Sequence, residues 1–157
     1  MKKFKLTSEF IVDISGVKLF RIKALIEFGN VKAGDLGGYI EKEENLSHMG
    51  DAWVSDDARI SGDAQVFGNA RVSGDAQVSG DARVSGDKDY AYAHGFGSCN
   101  RTTTFFRLKD GDVGVRCGCF YGTLAQFRDK VCETHGETKK AQEYLMLADL
   151  MEIRFKN

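Results

Sequence analysis

Four cysteines and three histidines are the residues of this 157-residue chain best suited to chemistry. Their spacing suggests a metal site first. Cys117 and Cys119 point to one side of an extended segment, and Cys132 lies one helical turn from His135. A Cys-Gly-Cys plus Cys-x-x-His zinc site is therefore geometrically conceivable. Cysteine is also a common small core residue, and that reading stays open. A second group suits anions. Arg101, Arg107 and the hydroxyls of Thr102, Thr103 and Thr104 follow the glycine-rich stretch HGFGS, whose backbone can approach a phosphate. The competing reading makes the threonines ordinary strand residues and Arg101 a solvated edge.

The balance of 22 Lys and Arg against 23 Asp and Glu, a net charge of -1, gives no bulk attraction for duplex nucleic acid or an anionic membrane. The opening MKKFKLTSEF has basic residues but not the apolar run of a secretion signal. A cytoplasmic protein with reduced thiols is the expectation. The absence of proline and the 18 glycines suit strands joined by tight turns.

Three segments must position these groups. Residues 1–33 alternate apolar and polar around Ser15-Gly16 and read as a short antiparallel β meander. Residues 34–94 carry a strict six-residue period: Ala52, Ala58, Ala64, Ala70, Ala76 and Ala82 recur in step with Val54, Ile60, Val66, Val72, Val78 and Val84. Gly-Asp or a variant lies between them, and such a period marks a parallel β-helix. Carrying the alanine phase backwards lands on Leu46 and Ile40. Residues 95–157 read as an α+β module. A hairpin turns at Asp110-Gly111, and a helix starts at the N-cap Thr123 and stops at Gly136. A last helix is apolar over more than half its circumference, through Ala141, Tyr144, Leu145, Leu147, Ala148, Leu150 and Met151. Such a helix is expected to be buried against the hairpin or against another copy of the chain.

The aliphatic residue followed four places later by a small one, as Val72 by Ala76 and Val78 by Ala82, resembles the hexapeptide-repeat family. That resemblance implies a left-handed parallel β-helix with three hexapeptides per coil. Residues 18 apart then stack on one face, so Trp53 lies beside Arg71 as an exposed aromatic-cation pair that can stack a ligand ring, form a subunit contact or cap the solenoid edge. The three repeat arginines fall on different faces, which argues against a duplex-binding groove. Many members of the family are coenzyme A-dependent acyltransferases with a histidine as general base. That role would fall here to His94 or His48, which bracket the solenoid. The stack is only about three rungs, roughly 14 Å tall, and lacks an evident loop to cover a pantetheine arm.

The whole chain, including TTTFFRLKDGDVGVRCGCFYGTLAQFRDKV, is similar to small proteins of bacteriophages and prophages. This likeness carries no catalytic residues over. It implies a non-enzymatic accessory protein without cofactor, an anti-defence factor that captures a host immune protein or a nucleotide signal. A homo-oligomer, a trimer in the first instance, is expected because a short solenoid has two open ends to cover.

Overall fold

The computed structural model describes residues 2–96, 101–118 and 120–156. The chain begins as the expected meander. β1 (Phe4–Val12) and β2 (Lys18–Ala24) pair antiparallel. They turn at Asp13, whose carboxylate accepts the N–H groups of Ser15 and Val17. The third strand, β3 (Leu36–Ile40), pairs antiparallel with β2 and parallel with β5 (Arg59–Ile60). It therefore belongs to meander and solenoid at once, and the expected boundary at residue 33 falls within one continuous sheet of order β1-β2-β3-β5-β8, with β8 at Gln77–Val78.

The other solenoid strands are two residues each: β4 (Trp53–Val54), β6 (Gln65–Val66), β7 (Arg71–Val72) and β9 (Arg83–Val84). Parallel pairing of Trp53 with Arg71, Arg59 with Gln77 and Gln65 with Arg83 gives the 18-residue stack of three hexapeptides per coil. Every alanine and every Val or Ile of the clean repeat is fully buried. Side chains entering from three sides leave room for one branched and one small residue per hexapeptide, which explains the composition. Gly50, Gly62, Gly68, Gly74 and Gly80 take positive φ at the corners, and Asp56 does so at φ 55°.

The first coil departs from the expected phase. Ile40 pairs with Ile60, and Leu46 bridges Val66. Both therefore occupy the aliphatic position of the repeat and not the alanine position. The corner between Leu46 and Trp53 is two residues longer than its successors, and it carries His48.

Both ends of the stack are closed within the chain. Inside the stack each alanine carbonyl accepts an N–H from the neighbouring coil: Trp53 donates to Ala70, Arg59 to Ala76 and Gln65 to Ala82. At the first coil two buried side chains supply the donors instead. Lys3 Nζ donates to Ala52 O at 2.6 Å and Gly50 O at 3.3 Å. Asn45 Nδ2 donates to Ala64 O at 2.9 Å and Gly62 O at 3.1 Å, and its Oδ1 accepts from the N–H groups of Glu41 and Lys42. All the amide's strong hydrogen-bonding capacity is thus used. At the last coil the outward N–H groups of Gln77, Asp81 and Ser85 donate to Thr104 Oγ1, the Tyr121 hydroxyl and Asp89 Oδ2. Phe4 and Ile22 join the solenoid core from the N-terminal meander, and Phe106 joins it from the C-terminal sheet. The open ends from which oligomerisation was expected are therefore covered.

The C-terminal module is a four-stranded antiparallel sheet, β10 (Tyr90–Phe96), β11 (Arg101–Arg107), β12 (Val113–Cys117) and β13 (Phe120–Thr123). β11 and β12 form the expected hairpin, while β10 and β13 flank it. β10 starts at Tyr90 and so crosses the expected boundary at 94–95. α1 (Leu124–His135) begins at the N-cap Thr123, which accepts from Gln126 N–H while Gln126 Oε1 accepts from Thr123 N–H. α2 (Lys139–Arg154) packs Ala141, Tyr144, Ala148 and Met151 into a second core with Phe105, Val115 and Phe127. Leu145 and Leu147 pack half-buried against the same core, so of the expected apolar arc Leu150 alone stays exposed, beside Met146 and Ile153 on the opposite face. Among the described residues no helix is long and apolar enough to cross a membrane.

Candidate functional site

The residues proposed for chemistry are dispersed. Trp53 and Arg71 sit side by side as the stacking rule requires. Trp53 is nevertheless buried, at 4% exposure, with the Phe28 ring edge-on at 5.3 Å. The sequence-based expectation of an exposed stacking pair is corrected: the loop after β2 covers the indole, and Trp53 caps the solenoid edge. Arg71 runs beneath the same loop, where its guanidinium fills the space that a Cβ on Gly29 would need.

The threonines are also committed to the fold. Thr104 closes the last coil. Thr103 is fully buried and donates to Cys117 Sγ at 3.3 Å. Thr102 contacts His94 Nδ1 at 2.7 Å. Arg101 opens β11, and its side chain lies outside the described set.

The cysteine-histidine set is only partly described, because Cys119 lies outside the described residues. Cys117 faces the second core, Cys132 is exposed on α1, and His135 stacks on Tyr144 with ring centroids 5.8 Å apart. Among the described residues no three His, Cys, Asp or Glu side chains are grouped to hold a metal ion.

The two histidines that bracket the solenoid differ. His48 Nδ1 accepts the Lys3 backbone N–H at 3.0 Å, and Nε2 meets Glu43 Oε1 at 2.9 Å. Its ring lies flat on Phe4, with centroids 4.2 Å apart. An Nδ1 that accepts places the proton on Nε2, so both nitrogens are in use and the ring serves to anchor the first strand. Hydrogen bonds from Lys2 and His48 hold the Glu43 carboxyl below its usual range. His94 is exposed and lines a shallow depression of about 330 Å³ with Tyr39, Asp57, Arg59, Asp75 and Gln77.

Arg107 lies in a different setting. The hairpin turn, the first turn of α1 and the last turn of α2 enclose a cleft of about 670 Å³ lined by Arg107, Asp112, Arg128, Glu152, Phe155 and Lys156, among others. It adjoins a depression of about 370 Å³ lined by Lys88, Asp89, Arg107, Gly111, Arg154 and Lys156. Among the described residues, five cationic side chains face three carboxylates across the combined surface. Arg107 stands where the two meet. Its guanidinium lies over the Phe155 ring at 5.2 Å, donates to Gly111 O at 3.3 Å and stays 3.9 Å from Asp89. Stacking and the carbonyl bond hold the planar fork in place. Arg128 is held by Asp149 at 2.6 Å and Glu152 at 3.6 Å, and Arg154 donates to Tyr90 O at 3.1 Å. Lys88, Arg128, Arg154 and Lys156 were not found by reading the sequence, because they converge only when the chain has folded.

Residues 64–78 and 76–87 match the model of the YdcK β-solenoid repeat. The chain is a β-solenoid repeat protein, mainly β with two C-terminal helices. The match lies wholly within the coils and covers neither the hairpin nor the helices. No curated protein matches the chain.

Proposed function

We propose that this is a non-enzymatic binding protein whose C-terminal module captures an anionic ligand of nucleotide size around Arg107. The observation that carries the reading is the cleft pair itself, two adjoining depressions that share a stacked, hydrogen-bonded arginine and a surplus of cations. A guanidinium fixed in orientation before the ligand arrives loses little freedom on binding phosphate. In this reading the solenoid is a rigid, left-handed stalk, the sense that the hexapeptide pattern implies. The cytoplasmic bacteriophage setting gives capture a purpose, the withdrawal of a nucleotide signal used in host defence.

A thermal-shift panel of linear and cyclic nucleotides tests the reading. Ligand at a hundred times its dissociation constant stabilises the parent by about 2.7 kcal/mol. The shift is expected to disappear in Arg107→Ala, each protein being compared with its own ligand-free melt. No shift with any nucleotide, alongside a co-purifying host protein, moves the assignment to protein capture.

The alternative reading, acyl transfer from coenzyme A, rests on the exposed His94 in its polar depression, with Nδ1 held by Thr102. It requires heat on titration with acetyl-coenzyme A and loss of acyl transfer in His94→Ala.

A further inference from the structure

The two depressions that meet at Arg107 differ in chemistry. Among the described residues lining the smaller one, Lys88, Arg107, Arg154 and Lys156 stand against the single carboxylate of Asp89. That carboxylate is already engaged by the Ser85 N–H at 2.9 Å and the Ser85 hydroxyl at 2.8 Å. Arg154 is anchored on Tyr90 O and adds its charge from a fixed position. Lys88 and Lys156 form no ion pair with a described residue, so their charge is open to a ligand. The larger cleft is built the other way. Val113, Leu124, Ala125 and Ile153 give it apolar walls, and it adds the carboxylates of Asp112 and Glu152. Its own arginine, Arg128, is tied to Asp149 and Glu152. Arg107, Gly111 and Lys156 line both spaces and form the threshold between them.

This segregation gives a bound ligand a direction. Phosphate is drawn to the surplus of cations and repelled by Asp112 and Glu152. A base is drawn to the apolar walls, where the same carboxylates accept its N–H groups. On the reading that Arg107 anchors an anionic ligand of nucleotide size, we propose that this ligand is a linear nucleoside di- or triphosphate. Its phosphate chain lies in the smaller depression and its base in the larger cleft. Charge sets the length of the chain. A monophosphate brings a charge of about −1.5 to −2 and a cyclic phosphodiester less, and either leaves much of the surplus unmatched, whereas each further phosphate in a chain adds to the match. A cyclic dinucleotide carries a base on both sides of its phosphate ring and calls for two apolar walls. The smaller depression has no apolar side chain among its described lining.

Isothermal titration calorimetry of the full chain, without divalent cations, tests the assignment. The probes are adenosine and guanosine mono-, di- and triphosphates, their cyclic monophosphates, and inorganic triphosphate. For at least one base, affinity is expected to rise at least about tenfold from mono- to triphosphate, and the nucleoside triphosphate to exceed inorganic triphosphate by a similar factor. Lys88 and Ala125 are both exposed, so Lys88→Ala and Ala125→Trp should melt like the parent. Lys88→Ala should shrink the gain from mono- to triphosphate. Ala125→Trp, which fills the larger cleft, should erase the nucleotide's advantage over inorganic triphosphate. No binding of any probe, or binding indifferent to Arg107→Ala, would overturn the anion-capture reading and this assignment together. Binding that Arg107→Ala abolishes, but that is as tight for cyclic or monophosphates as for triphosphates, or as tight for inorganic triphosphate, would overturn the assignment alone, as would folded Lys88→Ala and Ala125→Trp variants that bind like the parent.

Discussion

Asp56 stands where five other corners carry glycine with positive φ. A left-handed conformation costs an L-residue roughly 1–2 kcal/mol, and Asp is among the side chains that tolerate it best. Here Asp56 also accepts the Gly74 N–H of the next coil at 3.0 Å, so the side chain compensates for the backbone it strains. Asp56→Ala keeps the strain and loses the bond, and is expected to lower stability by about 1–2 kcal/mol. Asp56→Gly loses the bond but removes the strain, and should lie within about 0.5 kcal/mol of the parent. Urea midpoints at constant slope measure both. If the alanine variant is no worse than the glycine variant, the left-handed corner is not strained. The corner positions were readable in the sequence because they repeat. Lys3 and Asn45 were not: a lysine near the N-terminus of a polar stretch looks solvated, and its acceptor, Ala52 O, lies 49 residues along the chain.

At the scale of elements the period predicted the stacking register but not the register of its first coil. Nothing in SHMGDA distinguishes a six-residue corner from a four-residue one. The difference becomes visible only when Leu46 is found beside Val66. The helix caps and the Asp110-Gly111 turn were readable because each is a local chemical device. The edge strands β10 and β13 are not legible in the sequence because they depend on neighbours in the sheet. The N-terminal closure has a pH signature. Burial lowers the Lys3 ammonium to about 8, partly offset by Asp51 and reinforced by Arg71. Because the folded pKa lies below the unfolded one, the unfolded chain binds more protons between about pH 8 and 10.5. Lys3 therefore contributes stability that rises with pH across that window and is level below it. The neutral amine still donates to Ala52 O and Gly50 O. Urea unfolding of the parent and Lys3→Met at pH 7, 8, 9 and 10 isolates the contribution. The stability gap in favour of the parent is expected to widen from pH 8 upward, and a constant gap would mean that Lys3 titrates alike in both states.

At the scale of the whole molecule β11 is a shared wall. Phe106 enters the solenoid core and its neighbour Phe105 enters the helical module's core, because successive strand residues face opposite sides. The pair FF was readable as strand, but which ring served which core was not, since the chain does not record that β11 lies across the last coil with Leu108 bridging Ala82. For the same reason only Arg107 of the cleft stands out in the sequence: Arg128 and Arg154 reach it from α1 and α2, whose docking angle no local pattern encodes. The ion pair between Asp13 at the tip of the N-terminal hairpin and Arg116, at 3.9 Å, adds a second link along the outside of the stack. Its side chains are largely buried and 3.9 Å apart, so desolvation offsets much of the attraction, whereas burial of a phenyl ring removes apolar surface from water without that cost. Phe106→Ala and Phe105→Ala should each cost about 3–5 kcal/mol, yet their effects on cooperativity should differ. Truncating Phe106 empties the contact between the two cores, so calorimetry should show the parent's single transition dividing in two, or a calorimetric enthalpy exceeding the van't Hoff value. Truncating Phe105 weakens one core and leaves the joint filled, so its transition should move down as a unit. Identical, still two-state transitions for both variants would mean that the cores are coupled elsewhere, and the Asp13–Arg116 contact would then be the place to cut.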